Sequence, residues 1–118
     1  MYTGTIIKES LKDASILGEV HILTERTASI DNPAPDQPVV WNLVRFEVED
    51  DKAPNVAEAM SKSLHEGTWY VDFSSENITF VVFPGKVFGY VKGDAVGREE
   101  VREYGRSLGI PEAQLDWS

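Results

Sequence analysis

Asp72, Tyr70 and Tyr90 are the side chains in this 118-residue chain whose types and spacing best suit a reaction. A carboxylate serves as a general base or an acceptor, and a phenol as a donor. A base also needs a neighbour that orients it, a role that suits Thr79. Around these residues fall Val81, Phe83, Lys86 and Phe88. The same set therefore reads as a catalytic or ligand-binding cleft, or as a half-apolar interface.

The other candidates are weaker. His21 lies between Glu19 and Glu25 and is a candidate base or ligand, or simply an exposed residue of a half-buried strand. The chain has two histidines and no HxxxH spacing, so no metal is expected. The carboxylates of residues 47–51 lack the spacing of an EF-hand loop and suit a solvated surface ahead of a helix. Arg98, Arg102 and Arg106 recur every four residues, a spacing that grips an anion or laces an exposed face with Glu99 and Glu103. There is no glycine-rich phosphate loop and no nucleophile–base pair, so no cofactor is expected and enzyme and binding module stay open.

These residues must be positioned by the stretch 68–91, the densest aromatic and β-branched run in the chain. It reads as three consecutive antiparallel strands. A polar turn over residues 74–77 places Phe73 opposite Ile78, Asp72 opposite Thr79 and Tyr70 opposite Val81. Pro84-Gly85 makes the second turn, with Pro fixing φ and Gly supplying φ > 0. Phe83 then faces Lys86, Val81 faces Phe88, Phe80 faces Gly89 and Thr79 faces Tyr90. Alternation sorts the strands into two faces. One, with Trp69, Val71, Phe73, Ile78, Phe80, Val82 and Val87, is apolar and must be covered, Gly89 leaving room for the Phe80 ring. The other carries Tyr70, Asp72, Thr79, Val81, Phe83, Lys86, Phe88 and Tyr90.

Strands are also expected at residues 3–9, 19–27 and 39–48, with Trp41, Leu43, Arg45 and Glu47 sharing one face of the last. The proline-rich residues 31–38 form a stiff, extended connector between strands, the alternative being a lid or a partner motif. A helix over residues 54–66 buries Val56, Met60 and Leu64, with Gly67 just past its end and His65 in its last turn. A second helix, capped by Asp94, runs to about Leu108 and buries Val101, Tyr104 and Leu108. Gly109 ends it, and residues 111–117 form a terminal turn pinned by Leu115 and Trp117. Strand-strand-strand-helix thus occurs twice.

The segments ESLKD…ILGEV, WYVDF and YGRSLGIPEAQLDW resemble those of a family of small prokaryotic proteins of about this length. That family has no established activity, so the resemblance implies a grouping and no functional residues.

Composition bounds the rest. One α+β domain spans residues 1–118: a two-layer, largely antiparallel sheet of five to six strands with two helices on its apolar face, a ferredoxin-like variant being the nearest common scheme. A net charge of −9 argues against nucleic acid. The first ten residues show no basic and apolar leader pattern, no apolar run is long enough to span a membrane, and cysteine is absent. Together these point to the cytoplasm. The expected function is a small interaction protein, a homodimer or higher oligomer closing the Tyr70/Phe83/Phe88 face. The alternative is a small-molecule binding protein or enzyme using Tyr70, Asp72 and Tyr90.

Overall fold

A computed structural model describes residues 1–31, 33–115 and 117. Asn32 of the proline-rich connector and Asp116 of the terminal turn lie outside the described residues. The alternating segments form six strands: β1 (Tyr2–Ile7), β2 (His21–Ser29), β3 (Val40–Val48), β4 (Val71–Ser74), β5 (Ile78–Phe83) and β6 (Lys86–Val91). Two helices, α1 (Ala53–Ser63) and α2 (Ala95–Ser107), follow β3 and β6. The fold is α+β, and all pairings are antiparallel in the order β2-β3-β1-β4-β5-β6. This three-strands-then-helix order, repeated, is not the βαββαβ order of a ferredoxin-like fold. Nor does the repeat extend to topology, because β1 sits between β3 and β4 while the second half is a simple meander.

The second hairpin has the expected register. Val81 opposes Phe88, Phe80 opposes Gly89 and Thr79 opposes Tyr90, across a turn whose Gly85 has φ 75°. A Cβ on Gly89 would lie 3.1 Å from the Phe80 ring, so that glycine does make room for it. The first hairpin departs by two residues: Phe73 opposes Phe80, Asp72 opposes Val81 and Ser74 opposes Thr79. Ser75 is the reason. Its amide donates to the Ile78 carbonyl at 3.0 Å, and its hydroxyl accepts from the amides of Asn77 and Ile78 at 3.2 Å each. The turn closes on Glu76 and Asn77 alone. An even slip leaves every strand residue on its expected face.

The helices do not share a face. Val56, Ala57 and Met60 of α1 pack with Phe46, Phe73 and Val82 on one side of the sheet. Val101 of α2 packs with Val81, Phe83 and Tyr90 on the other, joined by Ile110, Leu115 and Trp117. Val81 and Val82 are adjacent in β5, so the two cores lie on opposite faces and the molecule has three layers, not two. Phe80, expected between both helices, is half-buried on the α1 side against Tyr2 and Phe73, with ring centroids 5.5 Å away in each case.

Helix ends follow local chemistry. Asp94 caps α2 by accepting from the Gly97 amide at 3.1 Å, and Gly109, with φ 85°, lets the chain leave. The first helix ends earlier than expected. The Ser63 carbonyl accepts from the Lys12 amide at 2.8 Å, the His65 amide donates to the Ser10 carbonyl at 2.8 Å, and Leu64 bridges Leu11. The N-terminal segment thereby takes over groups that a longer helix would have used. His65 lies beyond the helix rather than in its last turn.

Candidate functional site

The second face of the sheet divides into a covered part and an open part. Over β5 and β6, Val81 and Phe83 are fully buried, and Thr79 and Tyr90 nearly so. Phe83 meets Tyr104 of α2 at 4.9 Å and Trp117 at 6.2 Å between ring centroids. Phe88 stands edge-on to Phe83 at 5.9 Å, and exposed Lys86 sits 5.3 Å above the Phe88 ring. The apolar patch that suggested a dimer is therefore closed within one chain, by α2 and the C-terminal segment.

Asp72 does not stand directly opposite Thr79 as expected, because the first hairpin's register moves it opposite Val81, on the same face and one pair along. Thr79 and Tyr90 pair across the strands and hydrogen-bond through their side chains. Burial pushes the Tyr90 phenol above its ordinary value, and the nearby Asp72 charge adds to this. The Thr79 hydrogen bond and the Arg98 charge oppose it.

Tyr70 and Asp72 come together elsewhere, in a cavity of about 130 Å³ at the border of the covered part. Its floor comes from cross-strand pairs on β3, β1 and β4. Thr5 opposes Asp72, and Ile7 opposes Leu43. Gly4 lets the strands meet there, since a Cβ would fall 2.5 Å from the Asp72 carbonyl oxygen and 2.6 Å from the Phe73 Cβ. Trp41, Trp69 and Tyr70 add the aromatic lining. Trp69 was expected on the α1 face with Val71 and Phe73. It precedes β4, so strand alternation does not bind it, and its ring meets Trp41 on the opposite side, 5.7 Å between centroids.

Three segments far apart in sequence close the rim. Gln37, from the proline-rich connector, accepts from the Ala34 amide at 2.9 Å and donates to the Thr68 hydroxyl at 2.9 Å. Asp36 accepts from the Thr68 hydroxyl at 2.6 Å and from its amide at 3.1 Å, and these hydrogen bonds hold its carboxyl below the usual range. Gln114, from the terminal 3₁₀ turn (Glu112–Gln114), donates to the Gln37 side-chain oxygen at 3.1 Å, and its carbonyl accepts from the Tyr70 hydroxyl. Gly67, with φ 119°, is needed for Asp36 rather than for a helix end. A Cβ would lie 2.3 Å from the Asp36 carboxylate. The connector is thus a strap over the pocket's edge, which its three prolines alone did not announce.

A wider groove of about 720 Å³ runs between the 3₁₀ turn Ala14–Glu19 and α1. Its charges belong to a solvated surface: Lys52 lies 3.8 Å from Glu49, Lys62 3.8 Å from Glu58, and exposed His21 4.0 Å from Glu49. Volume alone does not make it the better site. The smaller cavity combines concavity, aromatic lining and convergent polar groups.

The arginines of α2 face their acids. Arg106 contacts Glu99 at 2.8 Å, Glu103 at 2.6 Å and also Glu112, while Arg102 reaches Glu112 at 3.5 Å. Arg98 donates to the Trp117 carbonyl at 2.7 Å. This is the laced face rather than an anion grip. Among the described residues no group of three or more His, Asp or Glu side chains is placed to hold a metal, and no helix is long and apolar enough to cross a membrane. The chain matches no protein-family model, no curated protein and no solved structure.

Proposed function

We propose that this protein binds a small molecule, or the small terminal group of a larger one, in the cavity bordered by Trp41, Trp69, Tyr70 and Asp72. The observation that carries the reading is convergence. Two strand pairs, a proline-rich strap and the C-terminal turn meet around one concave, aromatic-lined space. Its lining, apolar and aromatic with a few placed polar groups, is that of a ligand site, and its size, below that of a typical drug-sized pocket, suits a small group alone.

The test is NMR shift mapping with a library of small fragments. Ligands are expected to move resonances of Thr5, Trp41, Trp69 and Asp72 together. Shifts confined to the groove beside α1, or none at any residue, overturn the proposal.

Assembly has a different observation behind it from the one the sequence suggested. Strand β2 is one of the sheet's two edge strands, opposite β6, and is exposed along nearly its whole length, with Ile22 46% and Leu23 45% accessible. A second copy pairing at this edge is the form that assembly takes in this reading. Sedimentation of the intact protein at tens of micromolar giving monomer alone removes it.

A further inference from the structure

We infer that the ligand of this cavity is a small organic cation, an alkylammonium or methylated ammonium group. The inference rests on the binding site proposed above and narrows its chemistry. Among the described lining residues one is acidic, Asp72, and none is Lys, Arg or His. Trp41, Trp69 and Tyr70 supply the ring types whose quadrupoles attract a cation, Trp most strongly. An ammonium carrying methyl groups satisfies both halves of this lining, through the carboxylate's field and the rings. A neutral polar ligand forgoes the first, and an anion meets Asp72 unfavourably.

Size agrees. About 130 Å³ equals the liquid share of about four water molecules, enough for an ammonium head and its methyl groups but not for a large ring system. Asp72 has interactions of its own, which does not close it to a ligand, because an ionised carboxylate offers about four acceptor sites. Two cations compete from outside the lining. Arg45 opposes Thr5 on β1 as Asp72 does from the other side, so their backbones are two strand spacings apart, roughly 10 Å, and Arg98 acts on Tyr90 as Asp72 does while donating to the Trp117 carbonyl. The net charge of −9 adds a field of the favourable sign.

The experiment compares three ligands of matched shape on the intact protein: choline, 3,3-dimethylbutan-1-ol and 3,3-dimethylbutanoate. Binding is followed by NMR at the indole resonances of Trp41 and Trp69. Choline is expected to bind at least tenfold tighter than the alcohol, with the carboxylate weakest. Asp72→Asn should erase most of choline's advantage, bringing its binding close to that of the alcohol. Should that variant fail to fold, the ratio on the unaltered protein decides alone. Equal or tighter binding of the alcohol or the carboxylate overturns the cation while leaving the pocket intact. If none of the three moves a lining residue while other fragments do, the cation falls and the pocket stands. If no fragment of any kind binds there, both fall.

Discussion

The second sheet face behaves as two regions built on the same strands. Over β5 and β6 it is dry: Val81 and Phe83 have no accessible surface, and α2 with Leu115 and Trp117 seals them. Over β1 and β3 it stays open, with Thr5 and Arg45 exposed and Leu43 half-covered. The difference follows from side-chain type. An aromatic and aliphatic surface recruits a cover, whereas threonine and arginine satisfy themselves in water. The cavity lies on the line between the two, where the cover stops and the polar strands begin.

The covered region should fail most heavily. Phe83→Ala removes a ring buried among Tyr70, Phe88, Tyr104 and Trp117, and is expected to cost about 3–5 kcal/mol. Phe80→Ala, on the less completely covered α1 side, should cost less. Urea denaturation of the two variants checks this order, and a larger loss for Phe80 would mean that the cover over β5 is not the tighter one.

The strap should come next. Gly67→Ala places a side chain at φ 119° and against the Asp36 carboxylate. The expected loss is about 1–3 kcal/mol, from backbone strain and displacement of the Asp36–Thr68 hydrogen bonds. Hydrogen exchange at the Thr68 amide should rise well beyond that of the β5–β6 ladder. Equal protection at both sites would show that the strap is held by something other than those bonds.

These two regions were not equally legible. The β5–β6 register could be counted because Pro84 and Gly85 dictate the turn from within the chain. The β4–β5 register could not, because one serine side chain decides how many residues the turn uses. Which face a helix covers was beyond the sequence as well. Val101 and its neighbours declare a buried stripe but not its partner, and only the path of the chain after β6 takes α2 to the second face. The cavity is the least legible part. Tyr70 and Asp72 stood out as chemistry, yet Gln37, Thr68 and Gln114 meet across sequence separations of 31 and 77 residues. Polar residues packed between prolines, as Asp36 and Gln37 are, give the one local hint that a connector is tied down.

A pH titration separates the strap from the cover. Asp36 is held below its ordinary carboxyl value by hydrogen bonds from Thr68, so its folded value lies under the unfolded one of about 3.9. The contribution is therefore complete above that value and lost as pH falls through the folded one. The Thr68 amide resonance should titrate below 3.9 and stop doing so in Asp36→Asn. A midpoint at or above 3.9 would mean that the carboxylate gains nothing from its partners.

The smallest effect expected is at Arg106, and it decides what holds the cover down. Its guanidinium joins Glu99 and Glu103 of α2 to Glu112 of the terminal turn, so on paper it staples the lid to its helix. The acids it meets are exposed, and ion pairs in water are weak and screened by salt. Beneath them, Leu115 and Trp117 lie almost wholly buried against Gly105, where a Cβ would come within 2.7 Å of the Leu115 side chain. Apolar burial should therefore dominate, and Leu115→Ala should cost about 2–5 kcal/mol. Arg106→Gln should lower the thermal midpoint far less, and that small difference should shrink further in 1 M sodium chloride. Arg106 also holds Glu99 and Glu112 below their ordinary values, so whatever it contributes is present above the unfolded carboxylate value and fades as pH falls through the depressed ones. A loss in Arg106→Gln that rivals Leu115→Ala, at high salt and neutral pH, would make the charged lacing the true clasp of the covered region.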